Sequence, residues 1–312
     1  MHQMTMQTEH STDDISTQAE ASLRQNGRSF HWAKRFLGQE MGSRAARLYA
    51  FCRLLDDMAD GDIPDGPARL THIKAMLAGD PKAHDPDLSA FLPFMQQVKL
   101  PHQPLNHLID GLLLDQQDVA IADEAELVRY GYYVAGTVGL LMCPVLHCHD
   151  RQAFAHALDL GIAMQLTNIA RDVLEDAKMG RRYVPAEWVQ NMTPEQICAA
   201  AETPDSPEAK HIASAINRIL DRAEDYYQSG FLGLAALPLR ARLAIAVAGT
   251  VYRQIGRQLR RAGTNWHAGR TVTSRWTKLQ MTLQALPLVL RTKLPDWHDA
   301  RLHAPLYPDM RP

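Results

Sequence analysis

The sequence predicts an all-α fold in a single domain, and three observations carry that prediction. Long stretches place apolar residues at helical spacing. Runs of alternating β-branched residues bounded by turns, the mark of strands, are missing, and no internal repeat of fixed period divides the chain. The 312 residues are 46% hydrophobic, enough for a large core, and no linker long enough to separate two domains interrupts them.

Taken in order, residues 1–21 are polar, rich in Thr, Gln and Ser, and lack the apolar segment of a signal peptide, so they read as a disordered tail. The helical domain is assigned to 22–295 and a C-terminal tail to 296–312. From Ser29 the pattern turns helical, with breaks at 38–42, at IPDGP (63–67), at GDP (79–81) and at LPHQP (100–104). One helix is expected over 43–60 and another over 105–120, where Asp110 and Asp115 read as a solvated or cavity-rim face instead of ligands. Residues 130–149 contain no Asp, Glu, Lys or Arg, yet Gly131, Gly136, Gly139 and Pro144 favour a buried central helix over a membrane span. A helix over 158–176 is stopped by Gly180 and Pro185. After a loop-rich interval containing Pro194 and ETPDSP (202–207), helices are expected over 208–230, 238–262 and 272–290.

Charge is distributed unevenly. The formal net charge is −2, but between Tyr226 and Pro295 there is no Asp or Glu, whereas Arg240, Arg242, Arg253, Arg257, Arg260 and others are present. That basic third could face anionic phosphates. Few aromatics interleave with its arginines and no known binding module is visible, so nucleic acid is not expected as a partner. Cys52, Cys143, Cys148 and Cys198 form no CxxC pair and read as reduced thiols of a cytoplasmic protein. Cys143, His147, Cys148 and His149 cluster in an apolar run at a spacing that matches no common zinc pattern, and are read as core packing.

Two polar stripes carry the chemistry. Gln165, Asn168, Asp172 and Asp176 are separated by three, four and four residues, so a helix places them on one face, amid apolar Leu166, Ile169, Val173 and Leu174. Tyr49, Arg53, Asp56 and Asp60 repeat the design at four, three and four residues. Asp57, off to one side, completes the candidate metal set. Burying such carboxylates is costly unless a cation compensates them. Oxygen donors without Cys or His suit Mg²⁺, with Mn²⁺ as a substitute, better than zinc. Facing aspartate pairs of this kind make a plausible diphosphate clamp, with Arg53, Arg171 and Arg181 as donors to phosphate oxygens. A lone DDxxD is more often a solvated acidic face; two such motifs with Arg and Tyr or amide partners in register are a much sharper signal.

At these residues the chain resembles a known family. YAFCRLLDDMAD (49–60), and NIARDVLED (168–176) followed by GRRYVP (180–185), resemble the two aspartate-rich signatures of the squalene and phytoene synthases. The likeness extends to SF at 29–30, to YGYYVAGTVGLL at 130–141 and to AEDYYQSGFLGLAALPLR and VYRQIG between 223 and 256, the last region being most like the family's bacterial phytoene synthases. The resemblance implies an isoprenoid-synthase-type helical bundle around a central cavity. It also implies Mg²⁺-dependent head-to-head condensation of two geranylgeranyl diphosphates to phytoene, through a cyclopropylcarbinyl diphosphate. Squalene or dehydrosqualene synthesis from two farnesyl diphosphates is the alternative, and only squalene synthesis would require NADPH. A non-catalytic lipid-binding or assembly factor would have eroded aspartates; here both sets are intact. By resemblance, Arg53, Arg171, Arg181, Tyr252 and Arg270 line the diphosphate sites, Gln165 and Asn168 lie near the reacting carbons or metal shell, and Ser29, Phe30, Tyr49 and Tyr183 also contact substrate. Phe30, Tyr49 and Tyr133 are candidate carbocation-stabilising faces. Val134, Ala135, Gly136 and Gly139 could let a hydrocarbon lie against the backbone, or serve close helix packing.

Lipid substrates and a C40 product imply peripheral contact with the inner face of a membrane, where a downstream desaturase would take the product. The stretch WTKLQMTLQALPLVLRTKL (276–294) combines leucines with three basic residues and no acid, which suits an anionic lipid surface or packing on the domain. Pro287 is expected to break any single helix there.

Overall fold

A computed structural model describes residues 32–116, 119–269 and 274–312. The expected tail 1–21 and the candidate residues Ser29, Phe30 and Arg270 lie outside the described residues. Among the described residues the fold is all-α. The β-type pairing seen there is a single isolated bridge between Ala120 and Arg182.

The helices are α1 (Gln39–Ala59), α2 (Gly66–Leu77), α3 (Pro86–Val98), α4 (His102–Leu114), α5 (Glu124–Gly131), α6 (Thr137–Val145), α7 (Gln152–Lys178), α8 (Pro194–Ala201), α9 (Pro207–Leu232), α10 (Leu239–Arg261) and α11 (Arg275–Val289). Starts follow local chemistry. Asp85 accepts from the backbone N–H groups of Asp87 and Leu88 to cap α3, Thr193 and Gln196 form a capping box on α8, and Ser206 caps α9. Two apolar clusters form the body. One gathers α5, α7, α8, α9 and α10 around Leu158, Ile162, Leu166 and Ile169; the other gathers α1 to α4 around Leu55, Leu70, Phe91 and Leu105.

α7 is the central rod, packed against α6, α8, α9 and α10. Small residues let its neighbours approach. A methyl group at Gly161 would sit 2.2 Å from the Ala135 carbonyl oxygen, and one at Gly139 would sit 2.2 Å from that of Ala157. The close-packing role expected for Gly139 is therefore present. Between α5 and α6 the chain widens into one π-helical turn, Tyr132–Gly136, which re-aims the residues on either side of it. The predicted buried helix over 130–149 is thus three linked pieces. Nothing in the side-chain pattern announced the extra residue in the turn.

Two C-terminal expectations change. α11 runs through Pro287, which sits three residues from its end and so removes one hydrogen bond in the final turn instead of breaking the helix. Residues 296–312, read from sequence as a tail, lie across the body: Leu302, Leu306 and Met310 are buried, Tyr226 Oη donates to the Leu302 carbonyl at 2.6 Å, and Arg129 donates to that of Pro305 at 3.2 Å. Among the described residues no helix is long and apolar enough to cross a membrane.

Candidate active site

α1 and α7 present their polar stripes to one cavity of about 610 Å³. Its polar end is lined by Tyr49, Arg53, Asp56 and Asp60 from α1 and its C-cap, by Gln165, Asn168, Arg171, Asp172 and Asp176 from α7, and by Asp115, Tyr130 and Tyr252. Apart from Lys34 the remainder is mostly apolar, with Leu112, Val134, Val138, Met142, Leu160, Met164 and Ile245 among its walls. Asp57 is turned aside, tied to Arg53 at 2.5 Å, and does not line the cavity. The π turn places Val134 and Ala135 on the wall; Gly139 lines it too, while Gly136 packs against Leu158 and Ile162.

The loop after α7 delivers Arg181 and Tyr183. Gly180 takes a positive φ of 76°, a conformation that suits glycine, and the Arg181 N–H then returns to the Asp176 carbonyl at 2.9 Å. Pairing of Arg182 with Val119 and Ile121 fixes the loop against the α4–α5 connection. Arg181 reaches across to Asp60 at 3.2 Å, linking the two motifs. Tyr183 does not line the cavity. It packs against Tyr130 with the rings tilted and their centroids 4.7 Å apart, and both hydroxyls donate to Asp115, at 3.3 and 2.8 Å.

Charge is incompletely balanced. Arg53 bridges Asp56 and Asp57 at 2.5 Å each, and Arg171 forms a two-pronged pair with Asp172. Even so, burial, opposed by Arg53, pushes the Asp56 carboxyl up to about 6. Burial and then the neighbouring Asp172 push Asp176 up to about 7. Asp115 rises to about 6, again chiefly through burial. Beside these groups, the buried Oδ1 of Asn168 has no hydrogen-bond partner. Excess negative charge, oxygen donors on two helices and an unspent amide oxygen together fit a hard divalent cation.

Besides Asp57 and Tyr183, further expectations need correction. Tyr133 does not face the cavity; it packs edge-on against His107 and Tyr132. Among the described residues, no arginine of the basic C-terminal third lines the cavity: Arg253 pairs with Glu224, Arg260 with Asp221, and Arg242 donates to the carbonyls of Ala235, Leu237, Val289 and Arg291. Asp115 belongs to the cavity wall more firmly than a rim reading implies. Its signal was present in the sequence, since Leu108, Leu112 and Asp115 continue one helical face. Of the four residues read as core packing, Cys143 and Cys148 are buried free thiols lining the cavity, whereas His147 and His149 are exposed because the chain has left α6 for a surface turn.

A raised carboxylate pKa means that the folded protein holds its proton more tightly than the unfolded chain. Stability supplied by Asp176 is then complete below its ordinary value of 3.8 and is lost as pH rises through about 7. In chelator, the urea midpoint of the wild type should therefore fall across that window. Asp176→Asn should flatten the fall, and Mg²⁺ should offset it at the alkaline end. A fall equally steep in Asp176→Asn would remove this residue from the charge cluster.

Comparison with known proteins agrees with the site. The family model described as squalene/phytoene synthase matches residues 23–277. The chain is 34% identical over 300 residues to a phytoene synthase of Pseudescherichia vulneris, covering 90% of this chain and 93% of that one. It is also 34% identical over 297 residues to a 15-cis-phytoene synthase of Paracoccus sp., covering 91% and 94%. Among solved structures, a dehydrosqualene synthase in complex with ligand superposes with a TM-score of 0.76 at 25% identity, covering 89% and 97%. The squalene synthase HpnC from Alicyclobacillus acidocaldarius gives 0.69 at 23%, covering 82% and 96%, and shares the fold. With two aspartate-bearing helices facing one apolar cavity and a family match over most of its length, the chain belongs to the squalene/phytoene synthase family.

Proposed function

We propose that the protein joins two geranylgeranyl diphosphates head to head, giving phytoene through a cyclopropylcarbinyl diphosphate. The observation that carries the reading is the single cavity, charged and metal-fitting at one end and mostly apolar elsewhere. Near full-length similarity to phytoene synthases supports the choice of substrate.

Asp56, Asp60, Asp172 and Asp176 would hold Mg²⁺, with Asn168 Oδ1 available as a further donor. Mg²⁺, or Mn²⁺ in its place, would supply Lewis-acid neutralisation of the departing diphosphate. Arg53 and Arg171, now tied to carboxylates, are positioned to exchange those partners for phosphate oxygens, and Arg181 lies at the same end. Departure of diphosphate leaves an allylic carbocation, and the attacking group is the double bond of the second substrate. The cavity must therefore exclude water and offer no competing nucleophile. Two of its polar side chains fit that requirement. Burial pushes both the Cys52 thiol and the Tyr49 hydroxyl up to about 12, which keeps them protonated and poorly nucleophilic. Tyr49, Tyr130 and Tyr252 offer aromatic faces, and Asp115 fixes the Tyr130 ring. Phytoene formation ends in proton loss and needs no NADPH.

Purified protein with Mg²⁺ should convert geranylgeranyl diphosphate to a C40 hydrocarbon, with and without NADPH. A C30 hydrocarbon from farnesyl diphosphate as the preferred product would establish the alternative, and squalene formed only with NADPH would mark its reductive form.

The reading also extends to a peripheral membrane location. Trp276, Leu279, Leu283, Leu286 and Leu290 fall at spacings of three and four along α11 and are 44 to 79% exposed, whereas Met281 and Ala285 on its other side are buried. Arg291 and Lys293 follow in exposed positions. Such an apolar stripe with adjacent cations suits the inner leaflet's anionic surface, which would receive the C40 product for a desaturase. Flotation with anionic liposomes should show salt-sensitive binding that weakens in Arg291→Gln/Lys293→Gln and in Leu283→Glu/Leu286→Glu. Binding indifferent to both pairs would place the contact elsewhere.

A further inference from the structure

A second polar cluster is buried away from the cavity, where α7, α9 and the C-terminal segment meet. Asp159 is fully enclosed and both of its oxygens are used. Oδ1 accepts from His303 Nε2 at 2.8 Å; Oδ2 accepts from His298 Nε2 at 2.7 Å and from Ser229 Oγ at 2.5 Å. Ser229 has one hydroxyl proton. Donating it to Asp159 makes Ser229 Oγ the acceptor for His156 Nδ1–H, 2.9 Å away. In the neutral imidazole this leaves the lone pair of His156 on Nε2.

Four features of this cluster go beyond ordinary packing. Ligand atoms of His156, Asp159 and His298 lie within 4.8 Å of one another, the span of a single ion's coordination shell. His303 holds the other carboxylate oxygen and stands outside that group, so it steadies Asp159 as a supporting residue. The hydrogen-bond partners of the enclosed carboxylate include no Lys or Arg among the described residues, so compensating charge must come from imidazole or from an ion. Ser229, finally, orients two of the donors without being one, as supporting groups around metal sites commonly do.

We propose that His156, Asp159 and His298, with His303 steadying the carboxylate, form a structural site for a borderline divalent metal ion of the zinc class, which fastens the C-terminal segment to α7. The nitrogen-rich donor set distinguishes it from the all-oxygen set at the cavity, so the two sites sort ions by chemistry. With metal bonds of about 2.0 to 2.1 Å, tetrahedral ligand atoms stand about 3.3 Å apart. The proton-bridged separation of 2.7 Å between His298 and Asp159 would open by about half an ångström as the ion replaces the bridging proton, which passes to Nδ1 or to water. His298, at the edge of the cluster and 18% exposed, provides the entry side. Asp159 lies thirteen residues before Asp172, about 20 Å along the helix, so the ion's role is to hold the fold and not to touch substrate.

The test uses full-length protein, stripped with chelator and kept in excess Mg²⁺ so that the carboxylate sites are occupied. Titration with Co²⁺ is read by visible absorption. An intense band of a four-coordinate nitrogen and oxygen site should saturate at about one equivalent per chain. Zn²⁺ should displace it, and His156→Ala and His298→Ala should abolish it. Zn²⁺ should raise the melting temperature of the wild type and leave that of both variants unchanged. If the wild type shows neither the band nor the zinc-dependent rise, the cluster is a hydrogen-bonded clasp and the proposal is overturned. A band that persists in both folded variants overturns it equally. Should the variants fail to fold, the wild-type titration alone decides.

Discussion

Carboxylates held close together in a half-buried space are the constraint on which the rest of this structure depends. Asp56 and Asp60 on one side and Asp172 and Asp176 on the other share one end of a cavity with Asp115. Arg53, Arg171 and Arg181 relieve part of the repulsion, yet Asp56 and Asp176 remain well above the usual carboxylate range. A fold that keeps such an arrangement gives up stability there, and the rest of the molecule must offset it. α7 is the element that makes this affordable. It is buried along most of its length against α6, α8, α9 and α10, so the polar face it exposes to the cavity is carried by a rigid rod.

Close packing at glycines decides how that rod is seated. The approaches of Gly161 to Ala135 and of Gly139 to Ala157 bring the π turn and α6 onto α7 with no space for a methyl group. The same contact shapes the apolar wall, because Val134, Ala135 and Val138 line the cavity from the segment so held. Packing and substrate space are two faces of one arrangement. The C-terminal segment closes the opposite side of α7 through Asp159, so the helix carrying the second aspartate motif is fixed on both flanks.

Much of this was legible in the sequence because helices convert spacing into direction. Residues three and four apart share a face, so the stripes Tyr49 to Asp60 and Gln165 to Asp176 could be drawn before any coordinates, and both motif stripes face the cavity. What escaped detection depends on pairings between distant segments. No local pattern tells that Asp115 would hold Tyr130 and Tyr183, or that Arg253 and Arg260 would be spent on Glu224 and Asp221. His298 and His303 read as part of a tail until the fold set them beside Asp159, more than 130 residues earlier. Pro287 misled for a local reason: it costs α11 one backbone hydrogen bond, and the helix ends two residues later.

The most direct measurement is calorimetric binding of inorganic pyrophosphate to the wild type and to Asp56→Asn and Asp172→Asn, with and without Mg²⁺. If the facing aspartates are a metal clamp for diphosphate, the wild type binds pyrophosphate only when Mg²⁺ is present. Each variant then loses that binding and, with it, turnover by about 100-fold or more, as expected when metal stabilisation worth several kcal/mol is removed. Both variants should stay folded, since asparagine keeps the shape of the side chain and each change removes one negative charge from a cluster that holds an excess of them. Pyrophosphate binding of equal strength in chelator, or variants that bind and turn over like the wild type, would contradict the clamp.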